Sequence, residues 1–386
     1  MLSTHEEGDL VLSASLPVRG DVYPPGASRP FFEGLLPEGS VRETIAAKLK
    51  IAYQDGFELL RELGAEVAGA VAVLPDGARP APPGGGAITW LTDDALVERV
   101  DALPSSPLGV TADAAEGARL SLGGVQGKLV LTRSPDGRFG LPRAGAPSTH
   151  ILKPGREFED LVANEAFCLS VARSAGLPAA AAEILSITDD AWLLVERFDR
   201  TFDQQMRVVR LHQEDFCQAL AREPAAKYEA SGGPSLPDVF ALVRAVSDRA
   251  VADLTTLLRA TVLNVLLGNS DAHAKNFALL YDRDGGGGRL APLYDIVSTN
   301  VYDLTPSLAM SIGGEADPDA VGTDAWRQLA RDVGLGGRIV AQVRADTERI
   351  VEAARANREL AGAEGWHRPV IDRIVALAEA RAARIA

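Results

Sequence analysis

Cysteine is nearly absent. The 386 residues hold two cysteines, Cys168 and Cys217, and five histidines. That excludes a disulfide framework and a cysteine metal site. Both cysteines sit in apolar helical patterns and read as buried thiols. Cations are outnumbered: 39 Lys and Arg against 53 Asp and Glu give a net charge of −14. A general electrostatic nucleic-acid binder is excluded, although a local basic patch stays open. No apolar run reaches the roughly 20 residues of a membrane span. A basic-then-apolar leader is missing at the N-terminus, so the expectation is a cytoplasmic, soluble protein without a membrane partner. Against these absences stands a 46% apolar fraction, enough for a substantial core in two or three lobes.

The stretch from Leu267 to Ser298 carries the most chemistry. An apolar run leads into a polar knot: Asn269, Asp271, His273, Lys275 and Asn276. A short strand follows (277–281), then a glycine turn, a second short strand and Asp295. An Asp followed five residues later by an Asn, with a second Asp beyond a hairpin, is the spacing of a protein-kinase catalytic loop and its metal-binding loop. The chemistry needs those types. One carboxylate orients the attacking hydroxyl, and an amide and a second carboxylate hold the metal on the nucleotide phosphates. The alternative is a solvated loop. His273 has no second histidine at ligand spacing, so zinc is not expected. The Asp-Gly-Gly-Gly-Gly run reads as a hairpin tip.

Upstream, residues 9–18 alternate like a strand, and Pro24, Pro25 and Gly26 read as a turn. Residues 31–39 contain two aromatics and two leucines before Pro37 and Gly39. Helices are expected over 41–50, 56–63 and 93–102, the last with Thr92 as N-cap. A strand is expected over 68–74, and a Pro/Gly-rich linker over 75–86. Lys128–Arg133 and Arg138–Leu141 read as a hairpin across Pro135, Asp136 and Gly137. Before it runs Ser121-Leu-Gly-Gly-Val-Gln-Gly-Lys128, in which glycines let backbone amides approach an anion. Leu122 and Leu129 stand where a Walker A loop needs Gly and Ser or Thr, and a plain turn is the competing reading. A strand ends at Lys153, and a helix over 157–175 carries Glu165. A strand Lys fixed by a helix Glu is a kinase device; an ordinary surface Glu is the alternative. Strands 182–187 and 191–196 read as a hairpin running into Glu196, Arg197 and Phe198, where a kinase hinge would offer its backbone to adenine. Helices are expected over 213–221, 237–246, 251–267, 324–332, 336–358 and 369–384. Strands in the first half and helices in the second give a strand-rich lobe followed by a helical one.

Taken together, these stretches resemble the HipA-type serine/threonine kinases, toxins of bacterial type II toxin–antitoxin modules. The matching segments are FFEGLLPEG (31–39), SLGGVQGKLVL (121–131), THILKP (149–154), NEAFCLSVARSAGLP (164–178), VERFDR (195–200), LHQEDFCQALA (211–221), GNSDAHAKNF (268–277) and LYDIVS (293–298). They occur in family order over most of the chain. The resemblance implies an α+β, bilobal protein-kinase-like fold. Its parts would be an N-terminal mixed α/β subdomain (1–105) lacking its first strands, an N-lobe-like region (106–200) and an all-helical C-lobe (201–386). It implies ATP and Mg²⁺ as cofactors. Asp271 would be the catalytic base, and Asn276 and Asp295 the metal ligands. Gly123, Gly124, Val125, Gln126, Gly127 and Lys128 would form the phosphate loop, and Lys153 would contact the phosphates. Glu196, Arg197 and Phe198 would meet adenine, with His273 and Lys275 also beside the nucleotide. Ser121 matches the self-phosphorylated serine, whose modification inactivates such kinases by adding negative charge where ATP phosphates bind. Implied partners are a HipB-like helix-turn-helix antitoxin, a protein substrate such as an aminoacyl-tRNA synthetase, and DNA only through the antitoxin. A non-catalytic pseudokinase corepressor and a kinase for a small molecule or lipid are the alternatives.

Overall fold

The computed structural model describes residues 12–17, 19, 22–110, 122–123, 127–155, 160–186, 191–282 and 287–385. The chain divides into two compact units: Met1–Gly155 with Glu183–Glu214 and Leu280–Gly286, and Arg156–Ala182 with Asp215–Leu279 and Gly287–Ala386.

The first unit is built on a six-stranded sheet. Its elements are helices α1 (Pro25–Gly34), α2 (Gly39–Leu49) and α3 (Gly56–Leu63), strand β1 (Ala87–Trp90), helix α4 (Asp93–Asp101), and strands β2 (Leu129–Arg133), β3 (Phe139–Arg143), β4 (His150–Pro154), β5 (Ala182–Ser186) and β6 (Ala191–Glu196). The strand order is β1-β3-β2-β4-β6-β5. Period-two alternation divides its two faces. Leu129 and Leu131 point to one side, where Leu96 and Val100 of α4 join Trp192 and Leu194. Val130 points to the other, where Phe31, Leu35, Ile45, Leu59 and Leu63 of the first three helices gather. A small hairpin, β7 (Arg200–Phe202) with β8 (Val208–Arg210), completes this unit.

Local signals set many of these elements. The β2–β3 turn closes with Gly137 N–H donating to Ser134 O at 2.9 Å. Asp55 caps α3 by accepting from Glu58 N–H, and Thr92 caps α4 by accepting from Ala95 N–H. Other expectations are corrected. Residues 24–26 are not a turn: Pro25 opens α1 at a position where a missing N–H costs nothing. The helix runs through Pro30 because it buries Phe31 completely. Of the strand expected over 9–18, residues 13–16 instead make a tight turn, with Leu16 N–H on Ser13 O, while residues 1–11 lie outside the described ones. Residues 68–74 pair with no strand. Their polar groups go elsewhere, Gly69 N–H to Asp199 Oδ2 at 2.7 Å. Strands β1, β7 and β8 were not anticipated.

The second unit contains α5 (Leu161–Ser174), α6 (Phe216–Ala219), α7 (Leu236–Val246), α8 (Ala250–Leu267), α9 (Thr323–Asp332), α10 (Ile339–Ala363) and α11 (Pro369–Ile385). Strand β9 (Gln213–Asp215) leads into α6, and β10 (Ala278–Tyr281) pairs with β11 (Gly288–Leu290). The helix expected over 213–221 is therefore a strand and one turn of helix. Helix begins only at Phe216, where Asp215 and Gln218 form a capping box. The expectation of an all-helical C-terminal lobe is corrected in the same way by β10 and β11. Helix α8 is buried along most of its length and packs against α7, α10 and α11. Among the described helices it is long and apolar enough to cross a membrane, but 67% of that window is buried within the protein.

Candidate active site

The candidate catalytic segment starts where α8 stops. Gly268 adopts φ +77° at the C-cap, a conformation that strains any side chain, and a Cβ there would lie 2.5 Å from Leu377 Cδ2, so glycine is favoured. Gly268 O then accepts from Thr299 N–H at 2.8 Å and Asn300 N–H at 3.0 Å. Ser270 N–H donates to Thr299 Oγ1 at 3.0 Å. These bonds hold the start of the loop against the segment that follows Asp295.

Asp271 projects outward with its side chain 49% exposed. Asn276 is buried, and its Nδ2 donates to the backbone oxygen of Asp271 at 3.1 Å. That bond ties the amide to the backbone of the loop. Lys275 is buried too, and its ammonium lies 2.8 Å from Asp215 Oδ2. Asp215 thus caps α6 with one oxygen and holds Lys275 with the other. His273 is buried, with Nε2 4.0 Å from Asp271 Oδ2.

Asp295 takes φ +55°, a left-handed conformation that asparagine and aspartate tolerate better than most residues. Both flanks hold it there. Tyr294 Oη donates to Lys275 O at 2.8 Å, tying this segment to the catalytic loop. Leu293 N–H donates to Pro178 O at 2.8 Å. Three residues on, Asn164 of α5 clamps Ser298, accepting its N–H at 2.8 Å and donating to its carbonyl at 3.0 Å. Tyr294 and Asn164 were not singled out from the sequence. The family segments LYDIVS and NEAFCLSVARSAGLP contain them, but spacing alone gives them no role.

Asn276 and Asp295 offer hard oxygens, the donor chemistry of Mg²⁺, which takes few protein ligands and completes its shell with phosphate and water. Among the described residues no group of three His, Cys, Asp or Glu could hold a metal by itself. An amide-plus-carboxylate pair is what a phosphate-bridged ion needs.

In the first unit, Lys153 sits buried on β4, opposite Leu193 of β6. Glu165 is buried on α5 in the second unit, which sets aside the surface-glutamate alternative. Lys128 Nζ donates to Gly123 O at 2.6 Å, drawing the ends of the glycine loop together. Ser121, Gly124, Val125 and Gln126 lie outside the described residues.

Arg197 is committed elsewhere. Its N–H donates to Thr149 O at 2.9 Å, and its guanidinium enters a buried ionic cluster. Arg197 Nε and Nη2 meet Asp199 at 2.9 and 2.7 Å. Arg200 Nη2 meets Glu66 at 2.7 Å, and Arg210 Nε meets it at 2.8 Å. Burial alone would push the Glu66 carboxyl up, but Arg200, Arg197 and Arg210 outweigh it and hold it at about 2. The cluster sets the geometry of the strand end at Glu196 and Phe198. In the second unit, Cys168 is fully buried and its thiol is pushed up to about 12 by desolvation, so it is an inert core group.

Comparison with known proteins identifies the family and the fold. Residues 120–357 match the HipA-like C-terminal domain, and residues 3–74 the HipA N-terminal domain. The chain is 43% identical over 336 residues to the putative kinase Y4mE of Sinorhizobium fredii, covering 86% of this chain and 79% of that one. It is 31% identical over 312 residues to the serine/threonine-protein kinase toxin HipA of Shewanella oneidensis, covering 75% and 68%. The Shewanella HipA solved with HipB and operator DNA superposes with a TM-score of 0.80 at 27% identity, over 97% of this chain and 88% of that one. The fold is the α+β, kinase-like fold of HipA, and this chain belongs to the HipA family of serine/threonine-protein kinases.

Proposed function

We propose that this kinase transfers the γ-phosphoryl group of ATP to a serine or threonine hydroxyl, with Asp271 as the base. The observation that carries the reading is the pair Asp271 and Asn276: an outward carboxylate whose own backbone oxygen pins the amide five residues later. Asp271 accepts the acceptor hydroxyl's proton as the oxygen attacks. Asn276 and Asp295 would hold Mg²⁺, which would supply positive charge against the phosphates. Lys153 and the loop Gly123–Lys128 hold the phosphates. The backbone at Glu196 and Phe198 meets adenine, while the Arg197 side chain supports that strand end through its ionic cluster. Lys275 keeps the catalytic loop in place from Asp215, and His273 flanks the base.

Ser121, at the head of the glycine loop, is the self-phosphorylation site in this reading, and its phosphate would compete with those of ATP. The acceptor class is a protein of the translation apparatus, such as an aminoacyl-tRNA synthetase. The partner is a HipB-like antitoxin that carries the DNA contact. The Shewanella relative was solved with HipB and its operator, and the net charge of −14 suits DNA binding through a partner.

The test incubates the purified chain with labelled ATP and Mg²⁺, with and without a bacterial lysate. Label on Ser121 or on a lysate protein is expected. Asp271→Asn should lose it by a hundredfold or more, on the order of 3 kcal/mol of barrier, with ATP affinity unchanged. ATP bound without transfer, on a chain of unmodified mass, would instead mean a non-catalytic corepressor. Label only on small molecules or lipids would change the acceptor class.

A further inference from the structure

A kinase base must accept a hydrogen bond from the acceptor hydroxyl. In this chain the same carboxylate already accepts one from within. Tyr228 Oη donates to Asp271 Oδ1 at 2.7 Å. The tyrosine ring stands edge-on to His273, with centroids 5.1 Å apart at 82°. Among the described residues, the partner recorded for Asp271 Oδ2 is His273 Nε2 at 4.0 Å, beyond a good hydrogen bond.

The segment carrying Tyr228 is built to hold that hydroxyl still. Ser231 N–H and Gly233 N–H both donate to Tyr228 O, at 3.0 and 2.9 Å. A Cβ on Gly233 would lie 2.2 Å from Ala226 O, so this turn needs glycine there. Glu229 then ties the turn down. Its N–H donates to Ala309 O at 3.1 Å, and its carboxylate accepts from Ser311 N–H at 2.5 Å and Ser311 Oγ at 3.0 Å. Ala309 N–H donates in turn to Ser270 O at 2.8 Å, one residue before Asp271. The Tyr228 turn and the catalytic loop are therefore fixed to one shared strap, residues 309–311.

An aspartate half in solvent would otherwise turn freely about its two side-chain torsions. A carboxylate offers about four acceptor sites, so one bond from Tyr228 fixes its plane without filling it. We propose that Tyr228 is a positioning residue for phosphoryl transfer, locking Oδ1 of Asp271 so that Oδ2 is presented to the acceptor hydroxyl. The proposal rests on the reading of Asp271 as the base.

Four full-length chains test it: wild type, Tyr228→Phe, Asp271→Asn and the double variant. Each is assayed for single-turnover self-labelling from labelled ATP with Mg²⁺, and for ATP affinity by titration. Phenylalanine keeps the ring against His273 and removes only the hydroxyl. The expected result is a transfer rate roughly tenfold lower for Tyr228→Phe, with unchanged ATP affinity, because a hydrogen bond to a charged group is worth about that much. Since Tyr228 acts through Asp271, the double variant should be no slower than Asp271→Asn alone. A Tyr228→Phe chain as fast as wild type overturns the proposal while an inactive Asp271→Asn leaves the base assignment standing. A faster Tyr228→Phe chain also overturns it, because the hydroxyl then blocks the acceptor's seat. A fully active Asp271→Asn chain, or a wild type of unmodified mass that transfers nothing, removes the base assignment and this proposal with it.

Discussion

Replacing Glu66 with glutamine changes one oxygen for an amide nitrogen in a cluster where every other position is set. Glu66 Oε1 accepts from Arg200 Nη2 at 2.7 Å, Ser148 Oγ at 2.8 Å and Ser148 N–H at 3.0 Å. Oε2 accepts from Arg210 Nε at 2.8 Å. The side chains of Glu66, Asp199, Arg197 and Arg200 are all under 5% exposed. Three guanidiniums face two carboxylates, and the substitution leaves them facing one. Breaking a buried ion pair from one side costs about 3–5 kcal/mol, because the remaining charge stays buried without compensation. Linkage gives a consistent figure. The carboxyl lies at about 2 against an ordinary 4.5, which is about 3 kcal/mol of stability at neutral pH. A depressed carboxyl stabilises the fold above its unfolded value and loses that contribution as pH falls toward 2. Urea unfolding followed at tryptophan reports on this unit through the fully buried Trp192. Glu66→Gln should lose about 3 kcal/mol or more at pH 7. Its deficit relative to wild type should narrow by about 2 kcal/mol at pH 3, where the unfolded-state carboxyl is protonated while the folded one is still charged. An unchanged midpoint at pH 7, or a deficit indifferent to pH, would refute the assignment of these charges.

Two further substitutions probe the second unit. Asp295→Ala should weaken ATP binding only in the presence of Mg²⁺, by about tenfold or more, and a nucleotide titration with and without the metal reads it. Retained metal-dependent affinity would remove the ligand role. Gly268→Ala forces a side chain into φ +77° and onto Leu377. It should cost about 1–3 kcal/mol and lower the melting temperature, and an unshifted melting curve would contradict the strained geometry of that cap.

Much of the architecture follows from local patterns. Pro135-Asp136-Gly137 sets the β2–β3 hairpin, Thr92 starts α4, and Gly268 ends α8 where the catalytic segment begins. The order of short motifs, from FFEGLLPEG to LYDIVS, is enough to place the chain in its family. Errors fell where a local preference was outvoted. Pro24 and Pro25 look like a turn, but Phe31 buries more by continuing as helix. Residues 213–221 look helical, but Asp215 is the cap, so its strand precedes the helix rather than joining it.

The sequence by itself determined the family, most of the element types and the candidate reacting groups, because helix and strand periods and the Asp271–Asn276 spacing act over a few residues. Only the tertiary structure decided which groups serve them. Tyr228 meets a carboxylate 43 residues away, and Glu66 meets Arg200 across 134. Arg197, placed beside adenine by its motif, turns its charge inward to Asp199. No local period encodes such pairings. They are fixed when burial leaves each polar group one place in which its charge or hydrogen bond is satisfied.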